Sequence, residues 1–356
     1  MPFRSTHLLV LAAATALVLA GPPAHPQAAA SAAQVHLVIT DTALRNNQEL
    51  PPLRKEDLQV KLSKKVVDPA ALIPAQGDQG ALQLMILVDD TLDQGVANNL
   101  NDLREFITAL PQGTQVGVAY MSNTTINILQ NFTTDRDLAA KAIRLPRSNL
   151  SAMDSSFFSL ISLLKGWPQQ KVRREVIMVT DGIDRLHGER PRAAGPATMG
   201  GYGANMGPGF GANPSARNPR GNIPTVYHSM PTLSQDAQTA SELSQRYNVV
   251  VFTIYAPGVG RAGRSQWDEQ LGIGNLTELS DETGGECFSL STTQAVSFKP
   301  YLDRIQSYIN NQYYLVLNAP PGKKDSLQRV DVRTNQKDSE IYAADNVWVP
   351  NKPAEK

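Results

Sequence analysis

What constrains this chain most is a set of apolar segments that leave no face free for water. LQLMILVD (Leu82 to Asp89), QVGVAYM (Gln115 to Met121), REVIMVT (Arg174 to Thr180) and NVVVFTIYA (Asn248 to Ala256) are nearly continuous in apolar residues instead of alternating with polar ones. Strands of that kind need cover on both faces, and the segments between them supply it. Val96, Leu100, Leu103, Ile107 and Leu110 fall on one helical face, and Phe298, Leu302, Ile305 and Ile309 stripe another. Helices are also predicted over Ala152 to Leu164 and Ser234 to Tyr247, with a start at Asn275 and Glu278 and a stop at Gly284 and Gly285. The expected fold class is α/β, a doubly wound and mostly parallel sheet with helices on both sides. TTINILQNF (Thr124 to Phe132) reads as a hairpin partner of the second strand, and Thr134 with Asp137 as a capping box opening a short helix.

Both ends of the chain are β-like. QVHLVITD (Gln34 to Asp41) and LRKEDLQVKLSKKVV (Leu53 to Val67) precede the alternating region, while QYYLVLNA (Gln312 to Ala319), LQRVDVRT (Leu327 to Thr334) and IYAADNVWV (Ile341 to Val349) follow it. These strands are expected to meet in a small β extension. The sequence therefore divides into residues 1–33, a β segment over 34–80, the α/β domain over 81–318, and a β extension with tail over 319–356.

Residues 1–33 have Arg4, an apolar stretch from Leu8 to Ala20, a Gly-Pro-Pro break and then small residues, the three-part pattern of a secretory signal cleaved near Ala28 to Ala33. The apolar stretch is well short of the roughly 20 residues that a membrane span needs. Export to the periplasm or the exterior is the expectation, with no transmembrane span after cleavage. Residues 189–222, with GGYGANMGPGFGANP at their centre, are rich in Gly, Pro and Asn and carry no acidic residue after Glu189. Disorder is expected there. The segment leaves the carboxyl end of the strand Arg174 to Thr180, the edge at which open α/β sheets bind ligands.

Composition removes several function classes. Lys plus Arg number 33 and Asp plus Glu number 33, so no global field draws the chain to nucleic acid. Cys287 is the single cysteine, which excludes an internal disulfide and a thiolate zinc cluster. GVGRAG (Gly258 to Gly263) fits G-x-G-x-x-G, but the next candidate strand ends in Ser289-Leu290-Ser291 and offers no acidic residue for a ribose. VDDTLD is superficially close to the D-x-D motif of aspartyl phosphotransferases; two positions after Asp89 stands Thr91, and two after Asp90 stands Leu92, so the acid-base carboxylate is missing. No G-x-S-x-G, H-E-x-x-H or Walker loop occurs. Nothing in the sequence supports an enzyme.

The aspartates remain as oxygen ligands. Asp89, Thr91 and Asp93 alternate just past the end of a buried strand, and Asp181 ends another within Thr180-Asp181-Gly182. Carboxylates and hydroxyls suit hard cations such as Mg²⁺ or Ca²⁺. A solvated acidic remnant that binds no metal is the competing reading of the same residues.

At this point the chain resembles the von Willebrand factor type A (VWFA) domains, in which a strand runs into D-x-S-x-S and a later strand ends in T-D-G. The resemblance extends to secreted bacterial VWFA-related proteins of the acidobacterial type through VITD (Val38 to Asp41), LRKEDL (Leu53 to Leu58), LTELSDETGG (Leu276 to Gly285) and NNQYYLVL (Asn310 to Leu317). It implies a metal-ion-dependent adhesion site at the top of the sheet and binding of a protein or cell-surface partner without catalysis. Carried over by position, the site falls on Asp89, Thr91, Asp93 and Asp181, with Ser148 or Ser151 in place of the family threonine. It is degenerate, because Asp93 stands where a serine is usual, and the extra carboxylate is expected to weaken attraction for an acidic ligand. The alternative function is an envelope scaffold working through its β extension, with the acidic site vestigial and metal-free.

Overall fold

The computed structural model describes residues 33–44, 50–148, 154–168, 172–186, 234–259, 266–290, 292–319 and 324–351. The signal segment, Ser151 and residues 189–222 lie outside the described residues.

The chain enters through four strands that cannot close a core alone. β1 (Ala33–Ala43), β2 (Leu58–Leu62), β3 (Lys65–Val66) and β4 (Pro69–Pro74) contain only one pairing among themselves, between β2 and β3. β2 is LQVKL, in which Leu58, Val60 and Leu62 are buried and Gln59 and Lys61 exposed, as a strand with one wet face requires.

β5 (Leu82–Asp89) is buried at every position. Its alternate side chains feed two different cores. Leu82, Leu84, Ile86 and Val88 join the one completed by α1 (Asn99–Ala109); Met85 and Leu87 face the opposite one. β6 (Thr114–Ser122) lies parallel to β5, and β7 (Thr125–Thr133) returns antiparallel through a two-residue turn with positive φ at Asn123 and Thr124. The short α2 (Arg136–Lys141) is capped by Asp135, whose carboxylate accepts from Leu138 N at 2.9 Å. The capping box expected at Thr134 is displaced by one residue, since the neighbouring carboxylate reaches the free amide.

α3 (Ser156–Gly166), capped by Ser155, begins four residues after the Ala152 start inferred from the apolar pattern. It leads into β8 (Arg173–Thr180), which pairs parallel with β5; α4 (Gln235–Arg246) and β9 (Val249–Tyr255) follow. α5 (Gln266–Thr283) starts nine residues before Asn275. Gly272 and Gly274 disguise its first half, because glycine lowers helix propensity, and tertiary packing overrides it. β10 (Cys287–Phe288) is only two residues long, and α6 (Lys299–Asn310) ends the α/β unit.

The central sheet has the order β10-β9-β8-β5-β6-β7, parallel except for β7. α1 and α6 pack on one face, and α3, α4 and α5 on the other. This is a doubly wound α/β fold. The order reverses between β5 and β8, so the connections leave in opposite directions at the carboxyl ends of those two strands, the place where open α/β sheets bind ligands.

β11 (Gln312–Ala319), β12 (Ser326–Thr334), β13 (Ser339–Ala343) and β14 (Asn346–Val349) then complete the first four strands. They give two sheets, β13-β1-β11-β4 and β14-β12-β2-β3. Val35, Leu37, Ile39, Leu315 and Leu317 from one sheet face Val60, Leu62, Val330, Val332 and Val347 from the other. The β extension made from both chain ends is thus a sandwich. β11 belongs to it by its pairing with β1 and β4, so the α/β unit stops before Gln312 and not at residue 318. Arg173 joins the two parts: its guanidinium donates to Ile309 O at 3.0 Å, to Gly80 O at 3.2 Å and to the Gln312 side chain.

Candidate functional site at the carboxyl end of the central sheet

The two strands flanking the switch point both end in an aspartate. Asp89 closes β5, and Asp181 follows Thr180 at the end of β8; both are buried. Asp89 Oδ1 accepts from Thr91 N at 2.9 Å and Thr91 Oγ1 at 2.7 Å, and its Oδ2 accepts from Thr180 Oγ1 at 2.7 Å. Burial, followed by the nearby charge of Asp181, pushes the Asp89 carboxyl up to about 6 in spite of these three donors.

The turn after β5 is held from both sides. Asp90 N donates to Met121 O at 2.9 Å, Asp93 N to Pro257 O at 3.0 Å, and Val259 N to Thr91 O at 2.9 Å. The beginning of the glycine-rich stretch at Gly258 is therefore occupied in bridging to Leu92.

Asp90 points into a different cluster. Arg144 grips it with two bonds of 2.7 and 2.9 Å, and Arg147 N donates to it at 2.8 Å. Burial would raise this carboxyl, but the Arg144 and Arg147 donors outweigh it and hold it below its ordinary range. The Arg144 guanidinium also lies 3.9 Å from the centre of the Tyr120 ring. Asp90 fixes the loop that contains Ser148, whose hydroxyl donates to Leu92 O at 2.7 Å.

Asp181 is engaged by its own loop. Its Oδ1 accepts from Ile183 N at 3.1 Å, and its Oδ2 is 2.7 Å from Arg185 Nη2, with the Arg185 side chain only 12 % exposed. Arg185 N in turn donates to Asp154 O at 2.8 Å. Asp154 is buried; its Oδ1 accepts from Thr124 N at 3.2 Å, and its Oδ2 has no hydrogen-bond partner among the described residues. The position of the T-D-G turn is set by Gly182, which has φ +68° and sits against Gly272 of α5.

Of the residues singled out in the sequence, Asp89, Thr91 and Asp181 come together. Asp93 does something else: its Oδ1 accepts from Gly95 N at 2.8 Å and caps the short 3₁₀ turn Gln94–Asn98, and the residue is exposed. Ser148 spends its hydroxyl on a backbone carbonyl, and Ser151 lies outside the described residues. Arg185, Thr180 and Asp154 were not singled out. The four-residue interval between Asp181 and Arg185 was the available signal, and it is weak outside a helix.

These donors do not suit a divalent cation. Asp89 has both oxygens engaged by hydroxyl and amide donors, Asp181 is paired with a guanidinium, and Asp93 is committed to a cap. Among the described residues, no three His, Cys, Asp or Glu side chains are grouped to hold a metal ion. What the arrangement does offer is a buried, internally hydrogen-bonded polar cluster at the switch point.

Comparison with known proteins adds resemblance at the level of chain path. No family model matches the chain, and no curated protein does. Among solved structures, a von Willebrand factor type A protein from Catenulispora acidiphila is similar with 9 % identity, 93 % of this chain and 76 % of that one covered, and a TM-score of 0.37. An aerotolerance-related membrane protein from Bacteroides fragilis is similar with 13 % identity, coverage of 65 % and 99 %, and a TM-score of 0.39. Manganese-loaded TRAP from Plasmodium vivax is similar with 11 % identity, coverage of 77 % and 95 %, and a TM-score of 0.36. Among the described residues of this chain, no helix is long and apolar enough to cross a membrane.

Proposed function

We propose that this chain is an exported, non-enzymatic protein-binding module of the von Willebrand A type, which engages a protein or cell-surface partner through the carboxyl end of its central sheet. One observation carries the reading. Large apolar side chains are exposed on the loops and helix starts at that end: Leu145 at 51 %, Trp267 at 61 %, Leu290 at 52 % and Val296 at 92 %. They stand at the same end of the sheet as the buried, hydrogen-bonded Asp89 and Asp181, and exposed apolar anchors beside buried polar groups suit a partner surface better than a small substrate. The motif order VITD, LRKEDL, LTELSDETGG and NNQYYLVL supports the same family reading.

The second reading, a scaffold acting through the sandwich, rests on the edge strands β3 and β4, where Val66 is 74 % and Ile73 38 % exposed. A photo-crosslinking amino acid placed at Val296 or at Val66 in the producing cell separates the two. Adducts from position 296 that are lost in a Leu145→Ser, Leu290→Ser variant support the top-face reading; adducts from position 66 alone reject it in favour of the scaffold. Export is tested by the amino-terminal sequence of the mature protein, expected to begin near residues 28–33.

A further inference from the structure

The family reading leads one to look for a divalent ion between the ends of β5 and β8, and the residues there refuse it. Asp181 is 1 % exposed in its side chain, yet it is ion-paired at 2.7 Å with a residue four positions further along the same loop. That loop is built to return the guanidinium: Ile183 N bonds back to Asp181, Leu186 N to Asp184 at 3.1 Å, and Arg185 N to Asp154 O. Arg185 also feels the negative charges of Asp89 and Asp154, so one cation faces carboxylates from three separate segments of chain. The Asp154 Oδ2, buried and without a hydrogen-bond partner among the described residues, belongs to the same group of charges. Three buried carboxylates without a counter-charge would be severely destabilising. A planar guanidinium, permanently charged and rich in donors, meets that need as a metal ion would.

We infer that Arg185 is the resident cation of this site: it neutralises the ends of β5 and β8 from within the chain, and it excludes a divalent ion for as long as it is there. The inference stands on the ion pair and its loop, and it does not depend on which partner the top face binds.

The test uses the full chain purified free of metal. Calorimetric titration and thermal melts with millimolar Mg²⁺, Mn²⁺ and Ca²⁺ should give neither heat nor a shift in Tm for the wild type. Arg185→Met, close in length but uncharged, should melt at a lower temperature without metal and gain Mn²⁺ binding that restores part of the loss. Adding Asp181→Asn to that variant should abolish the gain. Where Arg185→Met does not fold without metal, refolding in Mn²⁺ against refolding in chelator reads the same property. Binding of a divalent ion by the wild type that Asp181→Asn removes, or an Arg185→Met chain with no affinity for metal, would overturn the inference.

Discussion

Gly182 and Gly272 meet backbone to backbone. A Cβ on Gly182 would lie 2.3 Å from the carbonyl oxygen of Gly272, and a Cβ on Gly272 would lie 2.3 Å from that of Asp181. The acidic turn after β8 is thus seated directly on α5, and its register depends on two residues having no side chain. Gly272→Ala gains helix propensity of about 1 kcal/mol, but the overlap is with backbone, and overpacking of this kind costs about 1–3 kcal/mol. Gly182→Ala adds the left-handed conformation, a further 1–2 kcal/mol or so. Both variants are expected to be less stable in urea melts, Gly182→Ala the more so. Undiminished stability in the Gly272→Ala variant would show that the contact yields.

Asp90 and Arg144 form the structural commitment of the other acidic turn, the one after β5. Asp90→Asn keeps the shape and removes the charge from two side-chain bonds and one amide bond, an expected loss of about 2–3 kcal/mol. Tyr120→Phe removes a hydroxyl that accepts from Arg144 N at 2.8 Å and donates to Arg144 O at 2.5 Å, with an expected loss of about 1–2 kcal/mol. The two effects should be less than additive, since both residues hold Arg144. A double-mutant cycle measured by denaturant unfolding checks this; strict additivity speaks against a shared anchor.

Asp89 predicts a pH dependence with a definite sign. Its folded carboxyl is raised to about 6, above the value near 3.9 of an unfolded aspartate. The folded state therefore holds the proton more tightly, and the contribution to stability is fully present below about pH 4 and lost as the pH rises through about 6. The size is on the order of 2–3 kcal/mol. Asp89→Asn should flatten this part of the profile and equal or exceed the wild type above pH 7, because the Thr180 hydroxyl can reverse its bond to meet the new amide. Unfolding free energies at several pH values between 4 and 8 decide it, and an unchanged slope in the variant sinks the assignment.

The β6-β7 turn holds Thr124 at φ 60°, a conformation that a β-branched residue adopts at a cost. Only its backbone N–H reaches Asp154, while its hydroxyl stays local on Asn123 O. Thr124→Gly should therefore stabilise the protein by roughly 1 kcal/mol and leave the Asp154 contact in place. A lower melting temperature for this variant would assign the Thr124 side chain a role that its contacts do not show.

The central sheet was legible because strands buried on both faces need continuous apolar runs, and β5 shows the rule at every one of its eight positions. The sandwich was legible as strands but not as a boundary: Gln312 to Ala319 looks like any buried strand, and only its partners β1 and β4 show to which unit it belongs. α5 was half hidden, since Gly272 and Gly274 signal a break that packing against the T-D-G turn overrules. At the site, Asp89, Thr91 and Asp181 were found from strand ends. The direction of Asp93 was not, because beyond the end of a strand the period of two no longer holds, and the short 3₁₀ turn took its carboxylate as a cap.

By itself, then, the sequence determined the alternating strands and helices, the β character of both ends and the two acidic strand termini, all consequences of local periodicity and burial. Tertiary structure alone decided which charges face one another. Arg185 closes on Asp181 and Arg144 on Asp90 through loops whose course no periodic pattern encodes, and those two closures set the charge that the acidic turns retain.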